Sequence, residues 1–366
     1  MALNLLRAAW RLSPSTSQVS SCASRRRWVV PHKVAYQLTG TTSFSTGSGD
    51  APTVTAALVK ELRTRTGASM GKCRQALVEE ACDIEKAVDW LRKRGIRSME
   101  RRTNDATESL LAVHLNGTSS GTIVEIQCET DFVAQNALLQ HLALAIASTA
   151  GAAPSDLATA TLEVSNADLS AKLSTGASIE KALLEIGSVL GERLVLGQSQ
   201  HLEIKPDTGV VAGYVHKQAG AVSGTGRMAA LVSLIPSAME NGTAPKLTAI
   251  ASQLARHIVA SRPRFVKVED VPAEVLEKER NTLKEAYLEE LDEKRKKNLT
   301  DVVLTKVLDG KTKKFYQEAV LMQQELIVAG VEGESAPVSV EKWLKDEAKS
   351  LGIDSLTVQE FRLVCL

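Results

Sequence analysis

One pattern occurs twice between residues 107 and 262, and it restricts the fold more than any other feature of the chain. In the first copy, 109–115 reads as a strand, the polar stretch 116–121 as a turn, and 122–128 as the return strand. A helical run over 137–150 follows, with Leu139, Leu142, Ala143 and Ile146 spaced along one inward face. In the second copy, 210–216 is a strand, a Gly-rich loop runs to Gly226, and 228–235 is the return strand. Its helix covers 245–261, with Leu247, Ile250, Ala251, Leu254 and Ile258 inward. Antiparallel hairpins each followed by a helix predict an α+β core of two related strand–strand–helix subdomains with helices on one face.

The flanks of this core are more helical. Between the copies, 152–192 reads as mainly helical and 194–204 as an edge strand. Ahead of the core, three short helical patterns fit a minimal bundle over 52–97. Ala57, Leu58 and Leu62 mark the inner face of the first, which ends at Thr66–Gly67. Met70, Cys73, Ala76 and Leu77 mark the second, and Ile84, Ala87, Val88 and Leu91 the third. Asp83 is a good N-cap for that third helix, and Gly95 is expected to stop it in a left-handed conformation. A bundle of about 45 residues has a small core and is typical of a docking module. After the second copy, Pro263 must end the preceding helix. The charged, helical stretch 274–329 either projects as a hairpin or packs on the core. A short amphipathic helix at 338–351 and a closing strand at 357–365 complete the chain.

Charge is unevenly placed. Residues 1–49 hold Arg7, Arg11, Arg25, Arg26, Arg27 and Lys33 and no acid. Without those six, 38 basic residues face 43 acidic ones, a net of −5. The body is therefore mildly acidic, and bulk attraction to nucleic acid or an anionic membrane is not expected. Over 3–12, Asn4, Arg7, Ala8 and Arg11 fall on one helical arc, opposite Leu3, Leu5, Leu6, Ala9, Trp10 and Leu12. An acid-free, Arg-bearing, Ser/Thr-rich start with this amphipathic pattern predicts a mitochondrial transit peptide over about 1–45 and a matrix location. A secretory signal would need an unbroken apolar centre, which Arg7 and Arg11 interrupt.

The sequence excludes several functional classes. The five cysteines, Cys22, Cys73, Cys82, Cys128 and Cys365, include no CxxC pair and read as thiols in a reducing compartment. The scattered histidines suggest no metal site and no cofactor. No P-loop or nucleophile elbow is present, so neither direct nucleotide binding nor enzymatic catalysis is expected. No apolar run approaches the roughly 18 residues of a spanning helix. Aromatics are 4% of the chain, too few for a stacking platform on single strands.

Four strings, making three signatures, resemble the elongation factor Ts family, in that family's order. LVKELRTRTGASMGKC and QALVEEACDIEKAVDWLRKRGI, over 58–96, are similar to its N-terminal ubiquitin-associated-like domain. EIQCETDFVAQN at 125–136 and HIVASRPRFVKVEDVPAEVLEKE at 257–279 match further signatures. The resemblance covers about 53–366. It implies a guanine nucleotide exchange factor that binds elongation factor Tu charged with GDP, here the mitochondrial one. The complex is expected to be a heterodimer in which the factor disturbs the Mg²⁺ and phosphate site. It also divides the chain into 52–97, a first core half at 104–205, and a second at 206–366 carrying a helical insertion over about 274–329.

The same resemblance assigns partner-binding residues. In the small module, Lys60, Arg63 and Met70 match family contacts. Lys60 and Arg63 stand three apart on one helix, so both can reach a partner. At the tip, Thr130-Asp131-Phe132-Val133 matches the family signature: Phe132 wedges into the Tu nucleotide domain and Asp131 acts beside it. In the second half, Gly213-Tyr214-Val215-His216 is similar to a Tyr-x-His segment whose His contacts Tu, which makes His216 a candidate. Cys82 departs from a usual Gly before Asp, Gln135 from a usual basic residue, and Gly191-Glu192-Arg193 from a Gly-Glu-Asn segment, to which no function is assigned.

Read from the residues alone, the alternatives stand beside these roles. Phe132 could be a hydrophobic staple folded back on Leu139, and Asp131 a helix N-cap. His216 could be merely exposed. The run Arg92, Lys93, Arg94, Arg97, Arg101, Arg102 is either a solvated helix end or the basis of an RNA- or ribosome-binding adaptor, the rival function. A ubiquitin-binding role for the small module is a further alternative.

Overall fold

A computed structural model describes residues 53–152, 157–239, 242–292, 300–327 and 338–366. The expected transit peptide lies outside them, as do 293–299 and 328–329 of the expected insertion.

Three helices come first: α1 (Ala56–Thr66), α2 (Met70–Glu79) and α3 (Ile84–Glu100). Their own small core contains Val59, Leu62, Cys73, Ala76, Leu77, Ala87 and Leu91. The inner face of α1 is therefore Val59 and Leu62, whereas Ala57 is exposed. Thr55 and Asp83 cap α1 and α3 by accepting from backbone amides, and Gly67 ends α1 in the left-handed region. Cys82 also adopts a left-handed φ of 65°, the conformation for which Gly is the usual choice.

Gly95 does not stop α3, which continues to Glu100. It lies where α3 crosses a later helix, α7 (Ile179–Leu190). A Cβ at Gly95 would lie 1.9 Å from Ser188 Oγ and 2.8 Å from Ser188 Cβ. The residue is small because two helices touch there, not because the chain turns.

The core has four layers. Strands β1 (Glu108–Asn116) and β2 (Ser120–Cys128) form a hairpin in register from Glu108 opposite Cys128 to Asn116 opposite Ser120. With β3 (Val195–Glu203) outside β2 and the two-residue β5 (Thr225–Gly226) outside β1, they make a sheet of order β3-β2-β1-β5. The second sheet has β6 (Met228–Pro236) between β4 (Val210–His216) and β7 (Leu356–Cys365). Helix α5 (Ala137–Ala152) covers the first sheet through Leu139, Leu142, Ala143 and Ile146. Helix α8 (Ala244–Ser261) covers the second through Leu247, Ile250, Ala251, Leu254 and Ile258.

Each sheet thus carries helices on one face, as its hairpin–helix order predicts. The opposite faces stack on each other: Leu111, Ile123, Leu202 and Ile204 meet Val211, Ala229, Leu231 and Val364. Gly121 lies at this seam, where a Cβ would come within 2.8 Å of both Leu115 and Leu231. The helices therefore lie outside a double sheet.

The segment expected to be mainly helical over 152–192 is not. Among the described residues after Ala152, only α6 (Ala167–Ser170) and α7 are helical there, and an isolated bridge pairs Thr161 with Ser178. The Gly-rich loop 217–227 is bound rather than free: Val222 donates to Gln140 Oε1 at 2.8 Å, and Gly224 O accepts from Val113 at 2.8 Å. Beyond α8, Arg262 turns the chain at φ 50° before Pro263. In α9 (Ala273–Glu290) no residue is buried, and in α10 (Asp301–Ala319) burial is confined to Leu308, Thr312, Phe315 and Ala319. The two helices touch through the ion pair of Arg280 with Asp309 at 2.9 Å. Helix α11 (Val340–Leu351) then leads to β7, burying Val340, Leu344 and Ala348.

Candidate functional site: a braced turn at the end of β2

Strand β2 ends at Cys128, and three residues later α4 (Asp131–Ala134) begins. The intervening polar residues satisfy themselves locally. Thr130 is the N-cap: its hydroxyl oxygen accepts from Val133 N at 3.4 Å, and its carbonyl accepts from Ala134 N at 3.2 Å. Val133 is 8% exposed and belongs to the first core cluster, so its side chain anchors the turn from below and is not presented outward. Asp131, the first helical residue rather than the cap, is exposed. Phe132 is 81% exposed, so the ring does not fold back as a staple.

Two carboxylates hold this turn, Glu129 from within it and Glu192 from just beyond α7. Glu129 accepts from Arg102 Nε, from Arg102 Nη2 at 2.7 Å, from Asn104 Nδ2 at 2.6 Å and from the backbone N–H of Arg193 at 2.6 Å. The Arg102 guanidinium, reinforced by the Arg193 and Asn104 donors, holds the Glu129 carboxyl down at about 2 against partial desolvation. Glu192 accepts from Thr130 N at 3.0 Å and from Thr130 Oγ1 at 2.6 Å. Arg193 Nη1 also donates to Asn104 O at 3.1 Å. The 102–104, 128–133 and 191–193 segments are thereby tied to one another. Behind them the Cys128 thiol donates to Thr130 O at 3.2 Å, and burial pushes it up to about 11, so it is a packed thiol and not a nucleophile.

Of the expected contact residues, the structure brings Thr130, Asp131, Phe132 and Val133 together on this one turn. Lys60 and Arg63 lie exposed on α1, with no ion pair among the described residues. Met70, the first residue of α2, is 54% exposed and so is not part of the module's inner face. His216 is exposed at the last position of β4, on the other sheet. An open groove of about 970 Å³ runs between the three helices and α7, and Arg63, Lys72, Arg94 and Arg102 all line it.

Sequence reasoning missed the braces. Arg102 and Asn104 precede β1, Glu129 lies in the 125–136 string with no role of its own, and Glu192 is 62 positions from Thr130. The available signal was the Gly191-Glu192-Arg193 string, which stood out but carried no assignment. The basic run at 92–102 is partly committed as well. Arg92 is 3.8 Å from the buried Glu185 and 3.5 Å from Asp89, and Arg102 is paired to Glu129.

Among the described residues no group of three His, Cys, Asp or Glu is placed to hold a metal, and no helix is long and apolar enough to cross a membrane. Among the described residues, this braced turn carries the most exposed of the large hydrophobic side chains, Phe132, beside an exposed carboxylate. The comparisons with known proteins identify the class. The family model for Elongation factor TS matches residues 129–364. Elongation factor Ts of Rhizobium meliloti (strain 1021) is 35% identical over 301 residues, 82% of this chain and 89% of its own. That of Rhodospirillum rubrum is 33% identical over 302 residues, covering 82% and 88%. That of Agrobacterium fabrum is 34% identical over 276 residues, covering 75% and 82%. The chain belongs to the elongation factor Ts family, the nucleotide exchange factors of elongation factor Tu in translation elongation.

Proposed function

We propose that this chain is the guanine nucleotide exchange factor of mitochondrial elongation factor Tu, and that Phe132 and Asp131 are its working tip. The observation that carries this reading is Phe132 standing 81% exposed on a turn held by two carboxylates. A large apolar ring held out on a braced turn is suited to filling a pocket on a partner. Its burial yields roughly 1.5–3 kcal/mol. GTPases hold the phosphates by backbone amides and Mg²⁺ by a Ser/Thr hydroxyl, and that bonding is lost when those groups move by about an ångström. The wedge therefore supplies part of the distortion, and docking through Lys60, Arg63, Met70 and His216 supplies the rest. The ubiquitin-associated-like reading of the first three helices fits such docking. Coupling is reciprocal: a factor that loosens GDP is itself loosened when nucleotide returns, so no catalytic group is needed.

The mitochondrial assignment rests on the acid-free, Arg-bearing first 49 residues, and the partner state we propose is a heterodimer with Tu. The pairing of Arg92 and Arg102 with acids leaves less free charge for RNA than the basic run suggests. The test is release of labelled GDP from purified mitochondrial Tu without nucleic acid. The chain should accelerate it. Phe132→Ala should slow the accelerated rate about ten- to a hundredfold, the kinetic equivalent of the lost burial, while weakening docking less. Release at the wild-type rate from Phe132→Ala would sink the wedge.

A further inference from the structure

Asp131 and Phe132 are exposed, so their aim is set by the backbone beneath them. Val133 pins one end of that backbone in the core and β2 pins the other. Between them Thr130 is the only cap, and its own bond to Val133 N is long at 3.4 Å. A hydroxyl can rotate, and in rotating it offers its proton rather than its lone pair to the helix. Glu192 removes that freedom. One carboxylate oxygen takes the Thr130 hydroxyl proton at 2.6 Å, and the other takes the Thr130 N–H at 3.0 Å. With the proton drawn to Glu192, a lone pair of Oγ1 is left facing Val133 N.

Glu192 is itself well mounted. It follows Gly191, which ends α7 at φ 81°, and its backbone N–H donates to Gly187 O at 3.1 Å. A Cβ at Gly187 would come within 2.7 Å of Glu192 O, so α7 and this residue are in direct contact. The next residue, Arg193, grips Glu129 and Asn104. Helix α7 also packs on α3 at Gly95, and α3 leads directly to Arg102. The helix that seats the N-terminal module is therefore the same one that presents Glu192 to the tip.

We infer that Glu192 is a positioning residue for nucleotide exchange, acting through its two-point grip on Thr130 to fix the direction in which Phe132 and Asp131 are presented. This rests on the proposed exchange function of the tip. A wedge that works over about an ångström loses effect when its support yields by a similar distance, without losing its contact surface. The signature is therefore a loss of maximal rate at nearly unchanged docking.

The experiment measures labelled-GDP release from mitochondrial Tu over a range of concentrations of the full chain, separating the maximal rate from the half-saturating concentration. Glu192→Ala and Thr130→Val should each lower the maximal rate about tenfold, with half-saturation moved less than about twofold. Thr130→Ser, which keeps the hydroxyl, should recover most of the rate that Thr130→Val loses. The double variant Glu192→Ala/Thr130→Val should lose less than the product of the two single losses, because both remove the hydroxyl–carboxylate bond while Thr130→Val leaves the Thr130 N–H on Glu192. Thermal unfolding of each chain identifies any variant that fails to fold; should Glu192→Ala be one, Glu192→Gln, which keeps a single acceptor oxygen, should lower the maximal rate by a smaller factor, and a wild-type rate there overturns the inference. A folded Glu192→Ala with the wild-type maximal rate overturns the inference, as does an equal loss in rate and half-saturation. If Phe132→Ala also releases GDP at the wild-type rate, the exchange role of the tip fails instead. If Phe132→Ala is slow while Glu192→Ala is normal, only the positioning role fails.

Discussion

Glu129 accepts four hydrogen bonds, and at least two come from one guanidinium. Such a carboxylate resists protonation, which makes the brace a source of stability that depends on pH. Its folded-state value is depressed, so its contribution is complete above the ordinary carboxylate range. It is lost as pH falls from there toward about 2. Arg102→Ala should therefore lower stability at neutral pH by roughly 1.5–3 kcal/mol, the range for hydrogen bonds to a charged group. It should also flatten the acid limb, since Glu129 would titrate closer to its ordinary value. Urea unfolding followed by circular dichroism at pH 7, 5 and 3 checks both. Thr130 to Val133 were legible as a site because four adjacent residues carry a recognisable string. Glu192 was not, because nothing local marks a carboxylate whose partner is 62 residues away. Val133 belongs to the same string, and its burial makes it the anchor beneath the exposed pair.

Among the elements, the two core hairpins and the helices that cover them were readable to within a residue or two. The strand 210–216 and the inward faces of α5 and α8 coincide with their sequence patterns. Misreadings came where a residue had two physical uses. Glycine ends helices, and it also lets two helices touch; at Gly95 the second use prevails. Gly95→Ala should improve intrinsic helix propensity by about 1 kcal/mol. It should still destabilise the chain by roughly 1–3 kcal/mol, because the added methyl meets the Ser188 Cβ, which sits next to backbone and cannot rotate away. Chemical denaturation of Gly95→Ala, Ser188→Gly and the double variant is the check. The double variant should recover most of the loss seen in the first, relative to Ser188→Gly alone. The stretch 157–178 misled differently. Its Ser, Thr and Asn residues cap and turn rather than extend helices, as Asn166 does by accepting from Leu169 N at 2.9 Å. The two-residue β5 carries no period at all and is defined only by the strand it meets.

At the scale of the whole molecule, the stacking of the two sheets was the largest feature beyond sequence reading. A hairpin followed by a helix shows which face the helix covers, but not what covers the other face. The third core cluster supplies that, and it makes the two halves depend on one another. Leu231 is fully buried in this seam. Leu231→Ala should cost roughly 2–5 kcal/mol, since the seam is lined by two β-sheets that cannot collapse easily into a cavity. Both halves should still unfold in one transition, read as coincident loss of far-ultraviolet and tryptophan signals. Two separated transitions would show that the sheets are independent.

The bracing of the tip bears on any attempt to transplant it. Residues 128–133 are contiguous and short, and on paper they form a portable cassette. Grafted onto another hairpin, they would carry the ring and the acid but leave behind Arg102, Glu192 and Arg193, which reach the turn from both sides of the chain. A host scaffold would have to offer two carboxylate or guanidinium arms at matching places before the cassette could push on anything. The transferable unit is three strings long, and a search for mimics of this activity should be keyed to that constellation in space rather than to the tetrapeptide.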